Sequence, residues 1–135
     1  MTPDELADGL VAGTLPQAEW THAGHVRATH ALVVRLGADE ALAAVRRAIP
    51  RLNEAHGVAN TDSGGYHETL TVLYASAVAD AVARGWDADR AVAAIGRDLP
   101  ERFWSPEVLD APAARRAWAE PDVARPPFAL LGASR

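Results

Sequence analysis

Apolar residues recur every three to four positions in this chain, within segments that glycine and proline interrupt. Alanine is very abundant, aromatic residues make up only 6% of the sequence, and runs of β-branched residues are short. Because alanine is a strong helix former and β-branched residues favour strands, the pattern predicts helices that pack closely on one another. We expect an all-α, single-domain bundle of four to five helices over residues 1–135, in which 119–135 form a largely irregular, proline-rich arm.

Capping and stop signals predict where the helices begin and end. Thr2 and Thr21 are N-cap candidates, and Gly13 and Gly37 follow the last apolar residues of two segments. Pro50 predicts a kink or an early break inside the third helix. The expected helices cover residues 3–11, 22–36, 39–56, 66–84 and 87–98.

Charge and composition exclude several classes of protein. The 135 residues carry a formal net charge of −5, which argues against nucleic-acid binding. No apolar run approaches the roughly 20 residues of a membrane span, and the acidic N-terminus does not resemble a secretion signal. We therefore expect a cytoplasmic protein that contacts neither nucleic acid nor membrane. A homodimer is compatible with the alanine-rich helices.

Two short motifs hold three of the five histidines. The segment W-T-H-A-G-H contains His22 and His25, and G-G-Y-H-E-T contains His67. Residues three apart share one helix face, and all three histidines fall on the expected inner faces at helix N-terminal ends. Since the chain has no cysteine, any metal must be held by histidine and oxygen ligands. The sequence predicts that His22, His25 and His67 bind one divalent transition metal, zinc, iron or copper.

Other polar residues near these motifs are candidates for catalysis or substrate binding. We expect Glu68 to be a general base on a metal-bound water or the partner in a salt bridge. Thr71 and Tyr74 share the inner face of the fourth helix and are expected to assist as catalytic or imidazole-orienting groups. The residues expected to contact the substrate are Trp20, Asn60, Tyr66 and Trp104. His56 is expected to cap a helix, and His30 to be structural.

The two motifs also carry a family resemblance. W-T-H-x-x-H at residues 20–25, N-x-x-x-x-G-Y-H-E-T-x-T at 60–71, S-P-E at 105–107 and W-x-E-P-D at 118–122 together resemble a family of small bacterial helical proteins of unassigned function. The resemblance implies that the two histidine motifs belong to one pattern, and it brings no reaction with it. A looser, fold-level likeness is to metal-binding bundles of the DinB type, in which three histidines from different helices hold a metal.

Three functional hypotheses remain open from the sequence. The leading one is a small metal-dependent enzyme that acts on a small molecule. The second is a metal-free lyase, isomerase or cyclase in which the histidines serve as acid and base. The third is a binding protein with the same pocket and no turnover. A purely structural role for the histidines is the remaining interpretation.

Overall fold

The computed structural model describes residues 1–132, which form seven α-helices and no β-strand. This confirms the all-α class; the count exceeds five because the C-terminal region contributes two short helices. The helices are α1 (Pro3–Ala12), α2 (His22–Leu36), α3 (Ala38–Ala55), α4 (Glu68–Ala83), α5 (Ala88–Ala94), α6 (Pro106–Leu109) and α7 (Pro112–Arg116), with short 3-10 helices at Gln17–Glu19 and Leu99–Arg102. Residues 133–135, the end of the predicted arm, lie outside the described part.

The predicted N-terminal caps of the first two long helices are confirmed. The Thr2 hydroxyl accepts from the Glu5 amide while the Glu5 carboxylate accepts from the Thr2 amide, which completes a capping box. Thr21 caps α2 by accepting from the Gly24 amide at 3.0 Å. Both caps use contacts within one helical turn, so the local sequence is sufficient to specify them.

Helix α4 is the central element of the bundle. It packs against α2, α3 and α7, and its buried residues lie all around the helix rather than on one face. Three of the buried side chains are polar and bond to carbonyl oxygens: Thr69, Thr71 and Ser76. This arrangement is typical of a core helix that other helices enclose. No helix within residues 1–132 is long and apolar enough to span a membrane.

Helix α3 agrees within one residue with the expected 39–56, and Pro50 causes no early break. The helix continues through Pro50 to Ala55, because buried Ile49 and Leu52 hold its last turns against the core despite the missing amide. One boundary expectation was wrong. Helix α5 ends at Ala94 rather than at residue 98.

The C-terminal arm packs back on the bundle as irregular chain. The indole Nε1 of buried Trp104 donates to the Ala119 carbonyl at 3.0 Å. Farther along, Phe128 meets Phe103 edge to face, and the Leu131 amide donates to the Ser76 hydroxyl on α4 at 2.9 Å. The arm therefore covers apolar surface that the helices alone leave open.

Candidate functional site

Four of the five histidines tie distant segments of the chain together. Each donates from Nε2 to a main-chain carbonyl, at distances of 2.7–2.9 Å: His22 to Ile95, His30 to Trp86, His56 to Leu15 and His67 to Leu109. A carbonyl can only accept, so these bonds place a proton on each Nε2. His25 is different, because neither of its ring nitrogens has a hydrogen-bond partner within residues 1–132.

His25 lies in a cleft of about 420 Å³ between the start of α2, the middle of α4 and the segment after α5. Its ring centroid lies 5.2 Å from that of Trp20 and 5.8 Å from that of Tyr74. Two aromatic walls therefore hold the imidazole plane while its nitrogens stay free. The lining residues are Trp20, Thr21, His22, His25, Tyr74 and Arg97.

Local sequence explains how the first motif reaches the cleft. The 3-10 helix Gln17–Glu19 leads directly into Trp20 and the Thr21 cap. Gly24 lies against the Glu19 carbonyl so closely that a Cβ at this position would collide with it. Glycine is therefore required inside W-T-H-A-G-H for the turn to fold back on α2 and bring Trp20 beside His25.

The protonation states of the cleft residues follow from their surroundings. Burial, and to a smaller extent neighbouring His22, lower the pKa of His25 to about 4, so its imidazole is neutral at pH 7. Burial raises the pKa of Tyr74 to about 12, so the phenol keeps its proton. Arg97 is exposed and forms no ion pair within the described residues. The cleft thus combines a neutral base, a hydroxyl and a cation.

The structure places His67 in a different role from His22 and His25. It is the N-cap of α4: its Nδ1 accepts from the Leu70 amide at 3.2 Å, and its Nε2 donates to the Leu109 carbonyl at 2.9 Å. Both ring nitrogens are therefore occupied by main-chain partners, and burial lowers the pKa of the ring. Histidine is not among the preferred N-cap residues, so capping preferences alone do not predict this role.

Glu68, Tyr66 and Thr71 also lie away from the His25 cleft. The Glu68 carboxylate accepts from Arg46 Nη2 at 2.7 Å and from the Tyr66 hydroxyl at 2.6 Å. Thr71 donates to the His67 carbonyl inside α4. Of the three residues expected to be catalytic, Tyr74 alone lines the cleft.

Among the four residues expected to bind substrate, Trp20 alone lines this cleft. Asn60 holds the loop before α4, where its Oδ1 accepts from the Tyr66 amide and from the Asn53 side chain. Gly65, at φ +78°, lies so close to Asn60 that a Cβ at this position would collide with it. Trp104 is 1% exposed and belongs to the core.

His22 and His25 thus share a cleft, whereas His67 does not join them. Within residues 1–132 no group of three or more histidine, aspartate or glutamate side chains is placed to hold a metal ion. His22 nevertheless keeps a lone pair on Nδ1, because its proton lies on Nε2, and Nδ1 has no hydrogen-bond partner within residues 1–132. A metal bound here would have two histidine ligands from α2 and would need further ligands from solvent or substrate.

Arg97 is the cleft residue that the sequence analysis missed. The fifth expected helix covered residues 87–98, so Arg97 was expected to lie within a helix. In the structure α5 ends at Ala94, with Ile95 as its C-cap, and Gly96 follows. Gly96 is the signal that could have located this loop, because glycine commonly follows a helix end.

Comparison with models of protein families, with curated proteins and with solved structures finds no match to this chain.

Proposed function

We propose that this chain is a small-molecule enzyme in which His25 acts as a general base on an anionic substrate. One observation carries the proposal: His25 is the histidine whose ring nitrogens have no partner among residues 1–132, and it lies in a cleft with Tyr74 and Arg97. A polar side chain that the fold leaves uncommitted, inside a concave polar site, is typical of a catalytic or binding residue.

The cation of Arg97 favours a substrate with a carboxylate or phosphate group. Its guanidinium presents donors in a planar fork that matches two oxygens of such an anion. Since Arg97 has no ion-pair partner within residues 1–132, binding an anion would not require breaking an internal pair.

The neutral imidazole of His25 can accept a proton from the substrate at pH 7. A bound anion next to the ring would stabilise the imidazolium that forms, and so would raise the pKa of His25 toward neutrality. Trp20 and Tyr74 fix the ring plane. The Tyr74 hydroxyl makes only long bonds to the Arg97 and Gly96 carbonyls, at 3.3 and 3.5 Å, and it can donate instead to a developing negative charge.

Carbethoxylation by diethyl pyrocarbonate tests whether His25 is accessible and whether an anion binds beside it. The reagent attacks an unprotonated imidazole nitrogen. In the other four histidines Nε2 carries a proton that is bonded to a carbonyl, so only the more crowded Nδ1 beside Cβ could react, and in His67 that nitrogen already accepts from the Leu70 amide. We expect mass-spectrometric peptide mapping at pH 7 to show His25 modified first. Malonate should slow this modification in the wild type but not in Arg97→Gln.

Sodium chloride at matched ionic strength is the control for non-specific salt effects. The proposal is wrong if His25 reacts no faster than His30 or His56, or if malonate protects the Arg97→Gln variant equally.

A metal-dependent enzyme at the same cleft is the second candidate. The supporting observation is the His22 bond to the Ile95 carbonyl, since metal-binding histidines commonly donate their second ring nitrogen in this way. It predicts that added zinc or iron(II) shifts the imidazole nitrogen resonances of His22 and His25. His22→Asn should abolish uptake, and His67→Asn should leave it intact; uptake that depends on His67 instead would reject this two-histidine site.

A further inference from the structure

A second cleft adjoins the His25 cleft across Tyr74 and Arg97. It measures about 230 Å³, and both Tyr74 and Arg97 line it as well as the first cleft. Its lining is partly apolar, with Leu70, Pro100 and Leu109, and it also includes His67. The two clefts therefore meet at Tyr74 and Arg97.

The second cleft carries charges of both signs. Arg97 and Arg115 line it together with Glu101 and Asp110. None of these four residues forms an ion pair within residues 1–132. Arg115 makes only long bonds, at 3.3 and 3.4 Å, to the carbonyls of Gly65 and Tyr66. Two cations and two anions around one cleft, with no pairing among them, are complementary to a ligand that carries both charges.

We infer that the ligand is an α-amino acid, whose ammonium and carboxylate groups bind in the second cleft. The carboxylate lies at Arg97 and Arg115, the ammonium at Glu101 and Asp110, and the rest of the molecule extends past Tyr74 toward His25. This inference rests on the proposed function and adds the substrate class to it.

The positions of the charged side chains support this orientation of the ligand. Arg97 lines both clefts, so a carboxylate bound to it is held at the boundary between them. Glu101 and Asp110 line the second cleft and are absent from the first, which puts the ammonium on the side away from His25. The reacting part of the ligand would then be the part nearest to the neutral imidazole.

The test is binding of the twenty common L-amino acids, measured by amide chemical-shift perturbation on the full chain. For the strongest binder, its deaminated carboxylic acid and its decarboxylated amine are matched probes. We expect each matched probe to bind about tenfold or more weakly than the amino acid, since each lacks one charge-assisted set of hydrogen bonds. The double variant Glu101→Gln, Asp110→Asn should lose the preference for the amino acid over the carboxylic acid.

Two results would overturn the inference. One is that no amino acid binds; the other is that the carboxylic acid binds as tightly as the amino acid in the wild type. Malonate protection of His25 that depends on Arg97 would, in either case, leave the proposed function standing. Failure of the amino-acid inference can therefore be distinguished from failure of the proposed function.

Discussion

At the scale of single residues, the neutral state of His25 makes the stability of the protein depend on pH. Its pKa is about 4 in the fold, against 6.5 for an unperturbed imidazole. As pH falls from 6.5 to about 4, the unfolded chain takes up a proton at His25 that the folded chain does not take up. The free energy of unfolding should therefore fall by up to about 1.4 kcal/mol per pH unit from this residue alone.

His25→Gln isolates that contribution. Urea unfolding of both proteins at several pH values between 4 and 7 should show a shallower slope for the variant. Other titrating groups, including His67, contribute to both proteins and cancel in the difference. Parallel slopes would contradict the assignment of a lowered pKa to His25.

The ion pair of Arg46 and Glu68 is expected to stabilise the fold more than an exposed pair does. The Glu68 side chain is 16% exposed and also accepts from Tyr66, whereas Asp80 in the Arg84 pair is 34% exposed. We expect Glu68→Gln to cost about 1–2 kcal/mol and Asp80→Asn less than about 0.5 kcal/mol in urea unfolding. Equal losses in the two variants would mean that Glu68 is no more important than a surface charge.

Sequence reasoning named four of the six residues that line the cleft. Helical spacing placed His22 and His25 on the inner face of the second helix and Tyr74 on that of the fourth, and Trp20 was named because it precedes the first histidine motif. It could not foresee that four imidazoles bond to carbonyls 41–73 positions away along the chain. Such bonds depend on tertiary packing, and no local pattern encodes them.

At the scale of helices and their connections, His67 joins the start of α4 to the end of α6. His67→Asn keeps a good N-cap, because asparagine is among the preferred capping residues, but loses the Leu109 bond. His67→Ala loses both contacts. We expect a loss of about 1 kcal/mol for asparagine and about 2 kcal/mol for alanine, measured by thermal or urea unfolding.

This order of stabilities separates a structural His67 from a ligating one. If His67 acted only as a ligand, asparagine and alanine would affect the stability of the metal-free protein alike. A cost for alanine no greater than for asparagine would therefore contradict the capping role.

Helix boundaries were predicted best where a threonine caps the helix locally, as in α1 and α2. Packing overrides local preference at two other places. Pro50 does not break α3, because Ile49 and Leu52 near it are buried, and α5 stops earlier than expected, at a point where Ile95 turns inward to the core. That early stop creates the loop carrying Arg97.

At the scale of the whole molecule, the C-terminal arm completes the core. Deleting residues 123–135 removes the Phe128 contact with Phe103 and the Leu131 bond to Ser76. We expect a loss of about 2–4 kcal/mol in the free energy of unfolding, with helical circular dichroism retained. Phe128→Ala should reproduce about half of that loss.

A deletion that leaves the free energy of unfolding unchanged would show that the arm only lies on a surface already closed by the helices. The sequence did predict an irregular arm, because proline is frequent there. The contacts the arm makes depend on which surfaces the helices leave open, so they could not be read from its own residues.

The measurement that tests the account most directly is long-range ¹H–¹⁵N correlation of the five imidazole rings as a function of pH. We predict that His22, His30, His56 and His67 each show a proton on Nε2 at pH 7, as their carbonyl bonds require. His25 should be neutral, should titrate near pH 4, and should be the ring whose shifts move most when an amino acid or malonate is added. A His25 that titrates at or above pH 6.5 and does not respond to either probe would contradict its place at the centre of the site.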